Sequence, residues 1–393
     1  MKIMSVNAGS SSLKFSLFEM DTKTVIASGN FERVTLDGSF YTIRYNGEEI
    51  REEVAAPNHQ TAVEIILDRL VSLKIVESLD EIEGVGHRLA HGADKYDRSV
   101  KITEEVIEDL KSYTELAPLH IPANILGIEA MKKVLPNVPM VGVFDTAFHQ
   151  TLDKTEYIYP VPYEWYTKYG VRKYGFHGTS YRYIAKQIPR LIGKDEYKAI
   201  ICHLGSGASI AAIKNGVSID TSMGFTPVPG VMMGTRSGDI DPSIIPFIME
   251  KEDKTVEEVM NDLNKKSGFL GVSQCASDFR DIYKGVTEGN EQCKLAFDKF
   301  VRTVVNYIAA YYVELEGVDV ICFTAGLGER ASEAREAIMN KLSCLGVKLD
   351  KEANMIRGEE VKISSADSSV MCFAVPTNEE LMIAEDTLSL IGE

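Results

Sequence analysis

The chain has 393 residues, with 42 Lys+Arg against 58 Asp+Glu and a formal net charge of −16. At roughly 150 residues per domain this length predicts two or three domains, and 45% hydrophobic with 25% charged residues excludes the disordered and low-complexity classes. The acidic balance excludes a general nucleic-acid binder, which needs a basic face to displace counterions, but leaves room for a small anion in a local pocket.

Residues 2–6 and 13–18 are short apolar runs around a Gly/Ser turn and predict a hairpin. Between Thr61 and Lys74, Val63, Ile66, Leu67 and Leu70 fall at helical spacing. Glu83–Arg88 reads as a strand, Glu104–Ser112 as an amphipathic helix, and Pro139–Phe144 as a buried strand leading to Asp145. Tyr197–Leu204 and Val318–Thr324 are further buried strands, and Leu295–Leu315, apolar nearly all round, predicts a buried helix. Strands interleaved with helices define an α/β protein.

Met1–Asn7 turns polar before a signal-like apolar region forms, and no apolar run reaches the ~18 residues of a membrane span. The six cysteines show no Cys-x-x-Cys spacing, and most lie in apolar stretches. Buried thiols of a cytoplasmic protein are the expectation. No His-Glu-x-x-His zinc pattern is present.

A weak internal repeat organises the chain. Asn7-Ala8-Gly9-Ser10-Ser11-Ser12 precedes the alternating Leu13, Phe15 and Leu17, and His203-Leu204-Gly205-Ser206-Gly207-Ala208 precedes Ile210 and Ile213. Each is strand, small-residue turn, strand, as a duplicated domain would give. With Gly326-Leu327-Gly328 they make three small-residue turns after buried strands, a pattern whose exposed N–H groups can cradle phosphate oxygens. Most such turns are only turns; three together point to a phosphate ligand, and Lys14 adds a charge beside the first. No Gly-x-x-x-x-Gly-Lys-Ser/Thr, Asp-Phe-Gly or His-Arg-Asp occurs, which excludes a P-loop and a protein kinase. One rival pattern stays open: Gly326–Ala331 fits Gly-x-Gly-x-x-Ala, with Asp350 near the acidic position of a nicotinamide-dinucleotide site.

Three polar residues sit among glycines: Arg88 in Gly86–Gly92, His177 in Tyr174–Ser180 and Arg236 in Met233–Asp239. Singly these read as turn residues with solvated charges. Together with three candidate phosphate turns they suit transfer of an anion, because arginine pairs with carboxylate and phosphate at two points. Cations around a phosphoryl group in flight stabilise its spreading charge. Asp145 and Glu379 each follow a predicted strand; Mg²⁺ takes one or two such carboxylates along with phosphate oxygens, although Glu379 is equally suited to a helix N-terminus.

These segments, in order, resemble the acetokinase family of the sugar kinase–Hsp70–actin superfamily: Asn7–Phe15, Gly86–Arg88, Phe144–His149, Tyr174–Ser180, Met233–Gly238, Phe323–Gly326 and Thr377–Glu380. The resemblance covers essentially the whole chain. It implies two duplicated actin/ribonuclease-H-like α/β domains facing an active-site cleft. Residues 1–148, completed by a C-terminal helix at 380–393, would form the first, and residues 149–379 a nucleotide-binding, dimerising second. It implies ATP/ADP as co-substrate, Mg²⁺ (with Mn²⁺ as a substitute), a homodimer, and reversible transfer of the ATP γ-phosphoryl to acetate, giving acetyl phosphate and ADP.

By position, the resemblance makes Arg88 the holder of the substrate carboxylate and assigns Ala90, Leu119, Phe176 and Pro227 to the wall around its alkyl end. His177 and Arg236 would stabilise the moving phosphoryl, Asp145 would be the essential acid, and Asn7 and Glu379 would place the metal. Lys14, His203, Leu204, Gly205, Ser206, Gly207, Asp278, Phe279, Arg280, Gly326, Leu327, Gly328, Glu329 and Arg330 would surround the nucleotide. The chain departs from the family pattern at Ser206 and Arg330, each where Asn is usual, at Tyr181 for His, at Ile121 for Asn, and at Ala90 for Val. The last leaves room for about one more methylene on the acid, which is worth about 1–3 kcal/mol, so a propionate-preferring kinase is the alternative. From other classes, an oxidoreductase using residues 326–331 and a non-catalytic nucleotide-gated switch remain; Arg88 speaks against the switch, which needs no carboxylate-binding arginine.

Overall fold

The computed structural model describes residues 1–392 and divides into two compact units, Met1–Gln150 with the chain from Asn378 onward, and Thr151–Thr377. In the first unit β1 (Lys2–Gly9), β2 (Ser12–Glu19), β3 (Thr24–Glu32), β4 (Phe40–Tyr45), β5 (Glu48–Glu53), β6 (Ile82–Leu89), β7 (Val100–Lys101) and β8 (Met140–Phe144) form one sheet of order β5-β4-β3-β2-β1-β6-β8-β7. Strands β1 to β5 pair antiparallel, while β6 runs parallel to β1 and β8 parallel to β6.

Alternation along β1 gives the sheet two buried faces. Met4, Val6 and Ala8 pack with Ala62, Val63, Ile66, Leu67 and Leu70 of helix His59–Ser72, whereas Ile3 packs with Ala384 of helix Glu379–Ile391. On that second face Ile383 meets Val141 and Val143. The approach is close because β6 is glycine at position 86, where a Cβ would fall 2.3 Å from Thr387 Oγ1. Of the segment 380–393, residues up to Ile391 lie in helix Glu379–Ile391, and Glu393 lies outside the described residues.

In the second unit β9 (Lys198–Leu204), β10 (Ala208–Lys214), β11 (Val217–Thr221), β12 (Val320–Thr324), β13 (Val361–Lys362) and β14 (Met371–Ala374) form a sheet of order β11-β10-β9-β12-β14-β13. Strands β9, β12 and β14 are parallel and β9-β10-β11 antiparallel. Its centre repeats the strand plan of the first sheet, with a hairpin followed by two parallel strands. The repeat read at Asn7–Ser12 and His203–Ala208 marks the two equivalent hairpins.

Three expectations change. Helix Glu291–Glu314 is not buried all round: Cys293, Ala296, Phe300, Val304, Ile308 and Tyr311 face the core at helical spacing, but Leu295 and Val313 are 53% and 75% exposed. Gly326-Leu327-Gly328 is not a turn but part of helix Ala325–Arg330; the turn is made by Ala325 itself, at φ 64°. The cysteines divide, with 202, 293, 322 and 372 buried and 275 and 344 exposed. Among the described residues no helix is long and apolar enough to cross a membrane.

Candidate active site

In each unit the singled-out residues gather where parallel strands end, the position at which an open α/β sheet offers a crevice. In the first, the β1–β2 register sets Asn7 opposite Lys14. Pairing of β6 with β8 sets Arg88 opposite Val143, two residues before Asp145, and the Asp145 N–H donates to Leu89 O at 2.8 Å. Arg88 then donates from Nε to Asp145 Oδ1 at 2.9 Å and from Nη2 to Oδ2 at 2.8 Å. Asp145 is 8% exposed at its side chain and Arg88 27%. The carboxylate beside it raises the guanidinium's pKa above its ordinary value, with burial opposing and Glu379 assisting. Three of the five guanidinium N–H groups are left to point elsewhere.

Glu379 opens its helix, where the dipole favours a carboxylate. Its Oε1 is nevertheless buried without a hydrogen-bond partner. Burial pushes the carboxyl up to about 7, with Arg88 lowering it and Asp145 and Glu380 raising it. Asn7, Lys14, Arg88, Glu379 and Glu380 line a common cavity of ≈ 40 Å³. An orphaned carboxylate oxygen beside an amide fits a hard cation, which takes oxygen ligands. Lys14 and Arg88 in the same cavity weaken affinity for the bare ion, so the fit is to a cation that arrives with anionic ligands of its own. Lys14, expected with the nucleotide, belongs to this group; Leu119, expected in the apolar wall, is 64% exposed.

In the second unit Gly207 is where an arginine and a histidine side chain converge. A Cβ there would stand 3.3 Å from Arg236 Nη1 and 3.5 Å from His177 Nε2. Arg236 donates only to Pro227 O at 3.3 Å and to Met233 Sδ at 3.8 Å, with no acidic partner among the described residues, and burial lowers its pKa. Such a guanidinium is arranged for an anion. His177 has left-handed backbone at φ 58°, stacks on His203 at 4.1 Å, and has Nδ1 2.8 Å from Ser209 Oγ. The Tyr181 hydroxyl lies 2.5 Å from the same Oγ, and Ser180 Oγ lies 2.8 Å from His203 Nδ1. The rings are thus fixed by buried hydroxyls. Phe176 is buried and Pro227 half-buried in this unit.

Beyond Gly207, Gly205, Ser206, Asp278, Phe279, Arg280, Gly326, Leu327 and Arg330 line a cavity of ≈ 610 Å³, a size suited to a small-molecule ligand. His203, Leu204, Gly328 and Glu329 stay out of it. Helical period explains the last two: 326, 327 and 330 face the cavity, whereas Gly328 packs on Phe323 and the Glu329 carboxylate accepts from Thr377 N–H at 3.1 Å. Asp278 caps its helix and pairs with Arg280, whose hydrogen bonds lower its carboxyl to about 2.

Sequence reasoning missed several residues. Asn124 bridges the two strand ends, accepting from Ala90 N–H and donating to Ala8 O, each at 3.0 Å. Phe269, Tyr283 and Arg357 line the large cavity, and Ser209 sits beneath His177. Asn124 and Ser209 carry no local signal, since only folding brings their partners near.

The acetokinase family model matches residues 2–385. The acetate kinase of Geobacillus sp. (strain WCH70) is 52% identical over 391 residues, covering 99% of this chain and 98% of that protein. The crystal structure of Porphyromonas gingivalis acetate kinase superposes with a TM-score of 0.95 at 44% identity, covering 99% of each chain. A propionate kinase from Francisella tularensis gives 0.94 at 38% identity, again over 99% of each. These matches, over a fold of two mixed sheets, make the chain an α/β phosphotransferase with a carboxyl acceptor. The chain belongs to the acetokinase family. This overturns the nicotinamide reading of residues 326–331, whose glycines lie within a helix rather than in a dinucleotide turn.

Proposed function

We propose that this protein transfers the γ-phosphoryl group of ATP to acetate, reversibly, giving acetyl phosphate and ADP. The observation that carries this reading is Arg88, held by Asp145, lining one cavity with Glu379, whose Oε1 is orphaned, in a chain 52% identical to an acetate kinase. The acid is ionised at neutral pH, so its oxygen attacks without a general base. The protein's tasks are to align two anions and to neutralise their repulsion. Arg88 binds the carboxylate through the N–H groups that Asp145 leaves open, and Asp145 fixes the guanidinium's plane. Arg236, without a carboxylate partner, and His177 donate to the phosphoryl oxygens as charge spreads over them. The ≈ 610 Å³ cavity takes the nucleotide.

Glu379 and Asn7 would hold Mg²⁺ or Mn²⁺, which when bound would neutralise phosphate charge. The enzyme is cytoplasmic and homodimeric in this proposal. Support for a dimer is the exposure of Ile240, Ile244 and Phe247 at 37%, 43% and 58% in the second unit; light scattering at micromolar concentration tests it.

Propionate is the second acid to consider, because Ala90 is smaller than the Val usual in the family and a propionate kinase aligns over 99% of the chain. Acyl-hydroxamate formation with acetate, propionate and butyrate, against ATP, GTP and pyrophosphate, with and without Mg²⁺, tests the proposal. ATP- and Mg²⁺-dependent product with acetate is expected. Absence of product with every pair would overturn the activity.

A further inference from the structure

Outside the residues already assigned, two thiols are in contact. Cys275 Sγ lies 3.3 Å from Cys293 Sγ, and the chain positions are 18 residues apart. Cys275 is exposed and Cys293 buried. Their surroundings hold them differently. Cys293 is fixed in the first turn of helix Glu291–Glu314, where its N–H donates to the Asn290 cap at 3.0 Å. The neighbouring helix Phe279–Thr287 has glycine where the sulfur needs space, since a Cβ at Gly285 would fall 2.4 Å from Cys293 Sγ. Cys275 lies in the loop after helix Gly268–Ser273, following Gln274 at φ 59°, and its N–H donates to Ser273 Oγ at 3.2 Å. Two residues on, the same loop becomes the wall of the ≈ 610 Å³ cavity at Ser277, Asp278, Phe279 and Arg280.

We propose that Cys275 and Cys293 form a reversible disulfide, made by a hydroperoxide oxidant, that moves the Ser277–Arg280 wall and weakens binding of the nucleotide donor. The inference rests on the reading of that cavity as the donor site. The exposed Cys275 thiolate attacks one peroxide oxygen; an S–O bond forms, the O–O bond breaks, and with hydrogen peroxide the departing hydroxide takes up a proton to leave as water. Cys293 sulfur then attacks the Cys275 sulfenic acid; the S–S bond forms, the S–O bond breaks, and the departing hydroxide takes the Cys293 proton as a second water. Two thiols lose two electrons in all, and the peroxide gains them. Burial and the Cys275 contact push the Cys293 thiol up to about 11, so the exposed Cys275 is the first nucleophile, and the 3.3 Å contact places Cys293 for the second step. An S–S bond is about 2.05 Å long, so closure draws the sulfurs together by more than an ångström. The Cys293 side is held by a long helix, so the loop moves. A dithiol reductant reverses the change.

The experiment treats the full-length protein with hydrogen peroxide, maps peptides without reduction, and measures KM for ATP and for acetate. A cross-linked 275–293 peptide is expected, two mass units lighter than its reduced parts, together with a rise in ATP KM of at least fivefold, an unchanged acetate KM, and recovery with dithiothreitol. Cys275→Ser, at an exposed position, abolishes both effects, whereas Cys344→Ser, which removes the other exposed thiol, keeps them. Oxidation confined to Cys344, or no 275–293 link, overturns the disulfide. A link with unchanged ATP KM overturns the coupling to the cavity. Failure of the donor-site reading shows separately, as absence of ATP binding to the untreated protein by calorimetry.

Discussion

Replacing Asp145 with Asn separates a positioning role from a proton-transfer role. The native carboxylate accepts two bonds from Arg88, at 2.9 and 2.8 Å. An amide keeps one acceptor and turns an NH₂ group towards a guanidinium that has only donors. Hydrogen bonds to charged groups contribute about 1.5–3 kcal/mol each, and removing one partner of a buried ion pair costs about 3–5 kcal/mol. Arg88 is 27% exposed, so water recovers part of that loss. An effect of about 2–4 kcal/mol remains, or roughly 30- to 1000-fold in kcat/KM for the acid. Because Asp145 acts on Arg88, the loss should appear against acetate, with the KM for ATP unchanged. Hydroxamate assays over a range of acetate at saturating ATP and Mg²⁺ measure it. Turnover and acetate KM both near the native values would refute the reasoning. A loss independent of acetate concentration and confined to one side of a pH step would instead indicate proton transfer.

Four further outcomes are expected. Arg330, in the large cavity with no acidic partner among the described residues, offers donors to the O6 and N7 acceptors of a 6-oxopurine, whereas adenine presents an amino donor at that edge. Arg330→Asn should therefore lower kcat/KM for GTP relative to ATP by about 5–150-fold, the range set by one base contact of about 1–3 kcal/mol; equal loss for both nucleotides would place Arg330 on ribose or phosphate. Ala90→Val should raise the acetate-over-propionate ratio by about tenfold, read as the ratio of kcat/KM values. Tyr181→Phe removes the hydroxyl 2.5 Å from the serine that bonds His177 and should lower kcat several-fold at unchanged KM values, with tyrosine's ring volume retained.

The fourth concerns pH. Burial, then Asp220 and Glu156, raise the Glu314 carboxyl to about 7, while Lys173 lowers it. A carboxyl with a raised folded-state pKa binds more protons folded than unfolded, so its contribution to stability falls as pH rises from about 4.5 to 7. Water screens this exposed group, so the effect is small. Glu314→Gln should raise Tm slightly at pH 8 and not at pH 4, as scanning calorimetry reads; a lower Tm at pH 8 would contradict the sign.

The sequence by itself determined the class, the repeat and the cationic residues, because each is written locally. Val63 to Leu70 carries its helical period within a single turn or two, and Gly86–Gly92 and Met233–Asp239 hold arginine among glycines within seven residues. Even where a local pattern misled, at Gly326–Gly328, the strand before it and the small residues were legible. Whether glycines coil or turn depended on the left-handed Ala325, which no pattern displays.

Tertiary structure decided what those residues face. Asp145 and Arg88 are 57 positions apart and meet because β6 and β8 are parallel neighbours. The β9–β10 pairing sets Ser209 opposite His203, on which His177 stacks, and Asn124 reaches both Ala8 and Ala90 from a helix. The thiols of Cys275 and Cys293 touch because a loop and a helix start are packed together around Gly285. Side-chain identity fixes what a group can donate, accept or ionise. The partner it finds is set by strand order and packing, which are properties of the whole chain.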